Sequence, residues 1–457
     1  MREGIMNIVI VGCGKVGASI AVELNAAGHD IVVVDINGSA VSRLADSIDA
    51  MGVEGNGATY EVLSEAGVAY ADLVVAATAR DEINLYTCLM AKASGAKHTI
   101  ARVRSPEYTN DLFRIKDLLG LSMSINPELT AAVEISRLLR FSGAIEIDAF
   151  SKGAVELIKV VIPEGSPACN RKVSDIDVLK GKVRIASVER GEDVYIPNGD
   201  FMIMPGDRAS IVTKPETAIK FFKKMNINIG KSRDVMILGG GKISYYLAQR
   251  LIKTGANVKI IEQNAQRCEE LSQMLPDAMI IHGDCMDQAL LLSEGITHVD
   301  GVAALMDYDE ENILISLYIK GVSKANIITK VNNQYFDSII DKLGLECVIN
   351  PKKLTGEYIA RYIRAMQNSL GSNVETLYRL NENRIEALEF RAKSSSKLTG
   401  VPIEKLSLRD NLQIISIFRK GKIILPTGKD AILPDDLVVV ITMHKGLSDL
   451  DDIMNKR

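Results

Sequence analysis

Asn7-Ile-Val-Ile-Val-Gly-Cys-Gly-Lys-Val-Gly17 decides the fold of this chain. Ile8–Val11 is a near-continuous apolar run, as expected of a parallel strand buried on both faces. Gly12, Gly14 and Gly17 follow at once in Gly-x-Gly-x-x-Gly spacing, and Val16–Leu24 then has a helical pattern. In a strand-to-helix turn the first glycine permits the tight bend. The second lets backbone approach a pyrophosphate, and the third allows close helix–strand packing. The helix start presents unpaired N–H groups and a partial positive charge to phosphate. Asp35 ends the next apolar run, Ile31–Val34, eighteen residues beyond Gly17. A carboxylate there accepts hydrogen bonds from ribose hydroxyls. The stretch reads as a βαβ unit for an adenine nucleotide.

The same text returns as Asp234-Val-Met-Ile-Leu-Gly-Gly-Gly-Lys-Ile-Ser244. Gly12 and Gly239 lie 227 residues apart, as do Asp35 and Glu262. Gly55 and Gly283, Gly67 and Gly295, Asp72 and Asp300, and Asn84 and Asn312 are each 228 apart. Asn126-Pro127 recurs as Asn350-Pro351, and Pro205-Gly-Asp207 as Pro434-Asp-Asp436. Two copies fill the chain, so this is a tandem duplication rather than a solenoid.

Each copy changes character partway. Leu73–Ala77 and Thr99–Val103 continue the strand pattern, with a helical stretch at Glu82–Ala93 between them. Thr78-x-x-Asp81 and Asp307-x-x-Glu310 have the spacing of a helix N-cap with an acidic partner three residues on. Beyond about residue 143 the period shifts towards two: Val155–Ile162, Val183–Glu189 and Ala209–Thr213 read as strands, echoed by Ala387–Phe390, Ile414–Phe418 and Leu437–Thr442. The expected class is α/β: two Rossmann-like parallel-sheet subdomains, each followed by a small α+β subdomain. Lys223–Arg233, polar and Lys-rich, reads as a solvated linker between the halves.

The 457 residues are 47% hydrophobic and 25% charged, enough apolar content for several cores. Net charge is −4, with 5% aromatics and no Trp, so neither a nucleic acid nor an anionic lipid surface is an expected electrostatic partner. The sequence has no apolar run of membrane-spanning length, its start lacks the longer apolar stretch and small-residue cleavage site expected of a secretory signal, and its six scattered cysteines include no Cys-x-x-Cys. A reduced cytoplasmic location is expected, without disulfides or a zinc site.

The residues expected to contact nucleotide are Gly12, Cys13, Gly14, Lys15, Val16, Gly17, Asp35 and Thr78, with Arg102 and Arg104 at a strand end on the ligand side. In the second copy they are Gly239, Gly240, Gly241, Lys242, Glu262 and Lys330. There Ser244 replaces the third glycine and Asn332 stands opposite Arg104, so that site is expected to be altered rather than lost. No Arg directly follows Asp35 or Glu262, which disfavours NADP. NAD, NADH, ATP and ADP share an adenosine ribose and a pyrophosphate and all remain open. Asn56 and Asp284 read as ordinary turn residues, as does His282-Gly-Asp-Cys285. The five histidines have no metal-ligand or triad spacing, and no acid–base pair suggests catalysis.

On these residues the chain resembles the TrkA family, cytosolic regulatory subunits of Trk potassium-uptake systems. The resemblance is carried by Gly12–Gly17 with Asp35, Ala77-Thr-Ala-Arg-Asp-Glu-Ile-Asn84, Ile100-Ala-Arg-Val-Arg104, Ile125-Asn-Pro-Glu128 and their echoes. It implies RCK units with Rossmann-like subdomains at 6–124 and 233–349, crossover helices at 125–142 and 350–370, and TrkA-C subdomains at 143–227 and 371–455. It also implies a homo-oligomer, from a dimer to a tetramer ring, on the inner face of the cell membrane. There a TrkH-type potassium-translocating subunit would be gated by nucleotide binding. Leu129, Val133 and Leu138, with Ile359, Ile363 and Met366, would pack between units or serve an intrachain core. An NAD-dependent oxidoreductase of unknown substrate is the alternative reading, and a scaffold with vestigial sites a third.

Overall fold

The computed structural model describes residues 5–105, 108, 112, 114–140, 144–150, 155–176, 183–213, 215–227, 232–333, 336–345, 347–368, 374–380 and 384–455. The first half opens with β1 (Asn7–Val11), β2 (Asp30–Asp35), β3 (Met51–Glu54), β4 (Leu73–Ala76), β5 (His98–Arg102) and β6 (Met123–Ile125). They form one sheet in the order β3-β2-β1-β4-β5-β6, parallel throughout. Ile8, Ile10, Val33, Leu73, Val75 and Ile100 are fully buried or nearly so, which is why these strands are written as unbroken apolar runs. Strand order reverses beside β1, so the crevice at its carboxyl end, where the glycine loop lies, is the topological switch point.

A trailing antiparallel module follows, comprising β7 (Ala144–Phe150), β8 (Val155–Val161), β9 (Arg171–Lys172), β10 (Val183–Arg190), β11 (Asp193–Tyr195), β12 (Met202–Ile203) and β13 (Arg208–Thr213). Its main sheet runs β11-β10-β13-β8-β7. The second half repeats the plan. Its parallel sheet, β16-β15-β14-β17-β18-β19, is built from β14 (Asp234–Leu238), β15 (Asn257–Glu262), β16 (Met279–His282), β17 (Gly301–Ala304), β18 (Asn326–Lys330) and β19 (Cys347–Ile349). Its antiparallel sheet, β20-β21-β24-β22-β23, uses β20 (Val374–Leu380), β21 (Ile385–Arg391), β22 (Leu412–Arg419), β23 (Lys422–Ile424) and β24 (Leu437–Thr442).

The recurrent Asp207 and Asp436 hold the turns that start β13 and β24. Asp436, 1% exposed, accepts two hydrogen bonds from Arg419 (2.9 and 2.7 Å) and one from the Leu433 amide (2.7 Å). Asp207 does the same with Arg190 (2.8 Å twice) and the Met204 amide (2.8 Å). Removing one partner of a fully buried pair costs about 3–5 kcal/mol. Both arginines keep partial contact with water, which lowers the figure. Asp436→Ala and Asp207→Ala are each expected to destabilise their own module by about 2–4 kcal/mol. Amide exchange along β24 or β13 would read this; unchanged protection there would show that the turns hold without the carboxylate.

The two halves are packed into each other. The first crossover helix, Pro127–Arg140, buries Ala131, Ile135, Leu138 and Leu139 in a core shared with Val235, Ile237 and Leu247 of the second half. The second, Pro351–Asn368, buries Ile359, Ala360 and Ile363 against Val16, Ile20 and Leu24 of the first. The choice left open for these residues thus falls on an interface between the halves of one chain. Leu129 packs at the edge of the first core and Val133 is half-buried, while Phe141 and the Met366 side chain lie outside the described residues. The antiparallel modules also join, with Leu157, Ala186 and Val212 packed on Ala387, Ile415 and Ile441.

The expected solvated linker needs correction. Met225 and Ile227 are core residues, the buried Ser232 donates its amide to the Leu139 carbonyl (3.2 Å), and the Arg233 amide donates to Asp300 (2.7 Å). Residues 228–231 lie outside the described set. Lys223 and Lys224 are exposed as anticipated, but Met225 and Ile227 beside them anchor the join.

Candidate nucleotide sites

At Gly12 the chain leaves β1 with φ +106°, and an added Cβ would lie 2.9 Å from the Ala77 carbonyl. A Cβ on Gly17 would collide with the Gly12 carbonyl oxygen. Both glycines are required by the turn itself. Gly14 differs: it caps the helix Lys15–Ala26 in extended backbone, and nothing lies within 4 Å of where a Cβ would sit. Gly241 occupies the same open position before the helix Lys242–Lys253. These are the places where a phosphate group fits against helix-start amides.

The expected ribose carboxylates hold these loops in place. Asp35 accepts from the Cys13 amide (2.6 Å) and the Asn37 amide (2.9 Å). Glu262 accepts from the Gly240 amide (2.6 Å) and the Asn264 amide (2.7 Å). Burial, with the Asp35 charge beside it, pushes the Cys13 thiol up to about 12, so it stays protonated and is no nucleophile at neutral pH. The second loop has two extra ties. Arg267 donates to the Gly240 carbonyl (2.8 Å), and Ser244 donates its hydroxyl to the Gly239 carbonyl (2.5 Å). Ser244 thus replaces the third glycine by bonding to the Gly239 carbonyl, the counterpart of the Gly12 carbonyl that a Cβ on Gly17 would strike.

Thr78 and Asp307 are not helix caps. The helices begin at Asp81 and Asp309, with Arg80 and Tyr308 at the cap positions and no side-chain cap bond. Asp81 instead accepts the Arg104 and Ser105 amides (both 2.8 Å), and Asp309 accepts those of Asn332 and Asn333 (both 2.9 Å). The fully buried Asn84 accepts from the Thr78 amide (2.8 Å) and donates to the Arg102 carbonyl (2.9 Å); Asn312 does likewise with Met306 and Lys330. Sequence reasoning used Asn84 and Asn312 as markers of the repeat and of the family resemblance, not as site residues. They clamp the carboxyl ends of adjacent strands where the basic residues emerge.

Arg102 and Arg104 converge on Glu128, the second residue of the first crossover helix. Arg104 Nε lies 2.7 Å from Glu128 Oε1 and Arg102 Nη2 lies 3.8 Å from it. Burial lowers the Arg102 pKa, opposed by the Glu128 charge. In the second half Lys330, 8% exposed, has its Nζ 3.4 Å from the Leu305 carbonyl. Lys352, at the position equivalent to Glu128, has its Nζ 3.4 Å from the Asn332 carbonyl. Burial lowers both lysine pKa values, and the Lys15 charge lowers that of Lys352 further. Glu128 and Lys352 were not anticipated as site residues, although each directly follows the recurrent Asn-Pro pair.

Lys15 and Lys242 each face the other half. A cleft of about 290 Å³ is lined by Arg80, Asp81, Glu82, Arg104, Tyr108 and Lys242. Tyr246, one turn after Lys242, donates its hydroxyl to the Arg104 carbonyl (3.1 Å) and accepts from Asn126 Nδ2 (3.1 Å). A groove of about 440 Å³ opens at the amino ends of β1–β3, the end of the sheet opposite the glycine loop. Asn56 and Asp284 bond the amides of Ala58 and Met286, as turn residues do. Among the described residues no group of three His, Cys, Asp or Glu could hold a metal ion, and no helix is long and apolar enough to cross a membrane.

Fold and site together define a duplicated Rossmann-type chain with two glycine-loop crevices, each parallel-sheet unit followed by an antiparallel module. The TrkA-N domain model matches residues 8–127 and 235–351, and the TrkA-C domain model matches 157–226 and 387–455; the chain belongs to the TrkA family. It is 34% identical over 448 residues to a Trk system potassium uptake protein TrkA homolog of Archaeoglobus fulgidus, covering 98% of this chain and 100% of that one. It is 29% identical over 446 residues to the Trk system potassium uptake protein TrkA of Vibrio alginolyticus, covering 96% of each. Among solved structures it is similar in fold to the GsuK RCK domain, with TM-score 0.64, 16% identity, and 96% and 93% of the two chains covered. It is also similar to the GsuK channel bound to NAD, with TM-score 0.63, 16% identity, and 97% and 77% covered.

Proposed function

We propose that this chain is the nucleotide-binding regulatory subunit of a Trk-type potassium-uptake system, acting without chemistry of its own. It would sit as a homo-oligomer on the inner face of the membrane against a TrkH-type translocating subunit. The observation that carries the reading is the exchange of crossover helices. Each glycine-loop helix is seated on a helix from the opposite half, so a change at either loop is felt across the chain. The curated relatives are Trk potassium-uptake proteins over essentially their whole length, which points the same way.

An adenine dinucleotide or nucleotide fits the two crevices. The space in front of Gly14 and Gly241 would take the pyrophosphate, Asp35 and Glu262 the ribose hydroxyls, and the basic residues after β5 and β18 the far end of the ligand. To bind ribose, each carboxylate would share or release the loop amide it now accepts from. Ligand and loop position are thereby linked. Ligands that favour different loop positions would bias the assembly between states coupled to an open or closed pore.

Calorimetric titration of the full chain with ATP, ADP, NAD and NADH tests this. Saturable binding to two sites per chain is expected. In flux assays with the membrane subunit, Asp35→Ala is expected to remove the nucleotide dependence contributed by the first site. A folded chain that binds none of the four ligands would sink the reading.

A further inference from the structure

The two crevices carry opposite charge at one equivalent position. Asn126-Pro127 is followed by Glu128, and Asn350-Pro351 by Lys352. In the first crevice the Glu128 carboxylate occupies Arg104 and lies against Arg102, so an arriving phosphate must displace a carboxylate already in place. Lys242 adds a cation to the cleft beside Arg104, but Asp81 and Glu82 line the same cleft. In the second crevice Lys330 and Lys352 each have one long contact to a backbone carbonyl, although an ammonium can donate three hydrogen bonds. Of the acids whose charge acts on them, Asp309 is engaged by the Asn332 and Asn333 amides and by the Asn332 side chain. The other, Asp307, is exposed on the β17 side of the crevice. Lys15, at the start of the helix Lys15–Ala26 that packs on the second crossover helix carrying Lys352, adds a third positive charge.

We propose that Lys352, with Lys330 and Lys15, recognises the terminal phosphate of a nucleoside di- or triphosphate in the second crevice. The first, where Glu128 faces the arginines, takes a dinucleotide that has no terminal phosphate. This rests on the nucleotide-binding reading above and assigns a ligand class to each site. With no carboxylate ion-paired to them among the described residues, the three ammonium groups repel one another, and a polyanion relieves that repulsion. A dinucleotide places its second ribose, rather than a phosphate, at that end of the crevice. A carboxylate such as Glu128 can accept from the ribose hydroxyls, as Asp35 would at the adenosine end.

The test is calorimetry on the full chain with ATP, ADP and NAD, at low and high salt, for the native protein and for Lys352→Gln, Lys352→Glu and Glu128→Gln. Lys352→Gln is expected to weaken ATP at one site by about tenfold to a hundredfold, Lys352→Glu by more, and both to flatten the salt dependence there. NAD affinity at the other site should be unchanged, which also shows that the variants fold. Glu128→Gln is expected to strengthen ATP at the first site several-fold. Native-like ATP affinity and salt dependence in both Lys352 variants would overturn the assignment while leaving nucleotide binding intact. Absence of all nucleotide binding by the native chain would remove it together with the broader reading.

Discussion

Gly14→Val should abolish nucleotide binding at the first site and leave the fold almost untouched. Gly14 has φ −68° and ψ 178°, a conformation open to any residue, and nothing lies within 4 Å of its missing Cβ. Valine is a poorer N-cap than glycine, so a loss of about 1 kcal/mol is expected. The isopropyl group would fill the space in front of the helix-start amides. Two charge-assisted hydrogen bonds to phosphate, each worth about 1.5–3 kcal/mol, would be lost. That corresponds to more than about a hundredfold in affinity. Stoichiometry should fall from two ligands per chain to one, and Gly241→Val should remove the other. Gly12→Ala is the contrast: at φ +106° with a backbone carbonyl 2.9 Å away, it should damage the turn itself. A folded Gly14→Val chain with full stoichiometry would mean that the open space in front of the loop is not the phosphate position.

The features legible in the sequence are those set by local rules. Strands such as Ile8–Val11 are buried on both faces, so they appear as apolar runs whatever surrounds them. Gly12 and Gly17 are fixed by sterics within one turn. The duplication then doubled each signal. What misled were residues whose partners are distant in the chain. Thr78-x-x-Asp81 has cap spacing, but Asp81 finds the Arg104 and Ser105 amides over twenty residues on, and these take precedence over the local cap. Lys15 and Lys242 read as contacts within their own loops. Only the seating of each loop helix on the opposite crossover helix brings Lys242 beside Arg104 and Lys15 within range of Lys352. The change from Glu128 to Lys352 was visible one residue beyond a repeat already noted. Its meaning needed the ion pairs of Glu128, for which Lys352 has no counterpart among the described residues.

The seating of the crossover helices sets the other large expected effect. Ile359 is fully buried among Val16, Ile20 and Leu24 of the helix Lys15–Ala26, whose first turn is the proposed phosphate position of the first crevice. Ile359→Ala removes three carbons from that contact and should cost about 2–5 kcal/mol, depending on how far the helices close up. Close-up is restricted nearby, because at Gly356 the helices already approach so tightly that an added Cβ would lie 3.1 Å from Glu23 Cβ. The cost should therefore fall in the upper part of that range and be read as lowered exchange protection in the helix Lys15–Ala26. The functional expectation is sharper than the loss of stability. The Lys15–Ala26 helix joins the first loop to the second half, so ligand at the second site should no longer shift affinity at the first, while each site still binds alone. Because coupling between two binding equilibria is symmetric, Ile359→Ala should also remove the effect of first-site ligand on the second. Leu139→Ala, which loosens the first crossover helix against the second half, is expected to weaken the coupling in both directions. Coupling retained at its native strength in both variants would mean that the sites communicate through the joined antiparallel modules, where Leu157 and Ala186 meet Ala387 and Ile415.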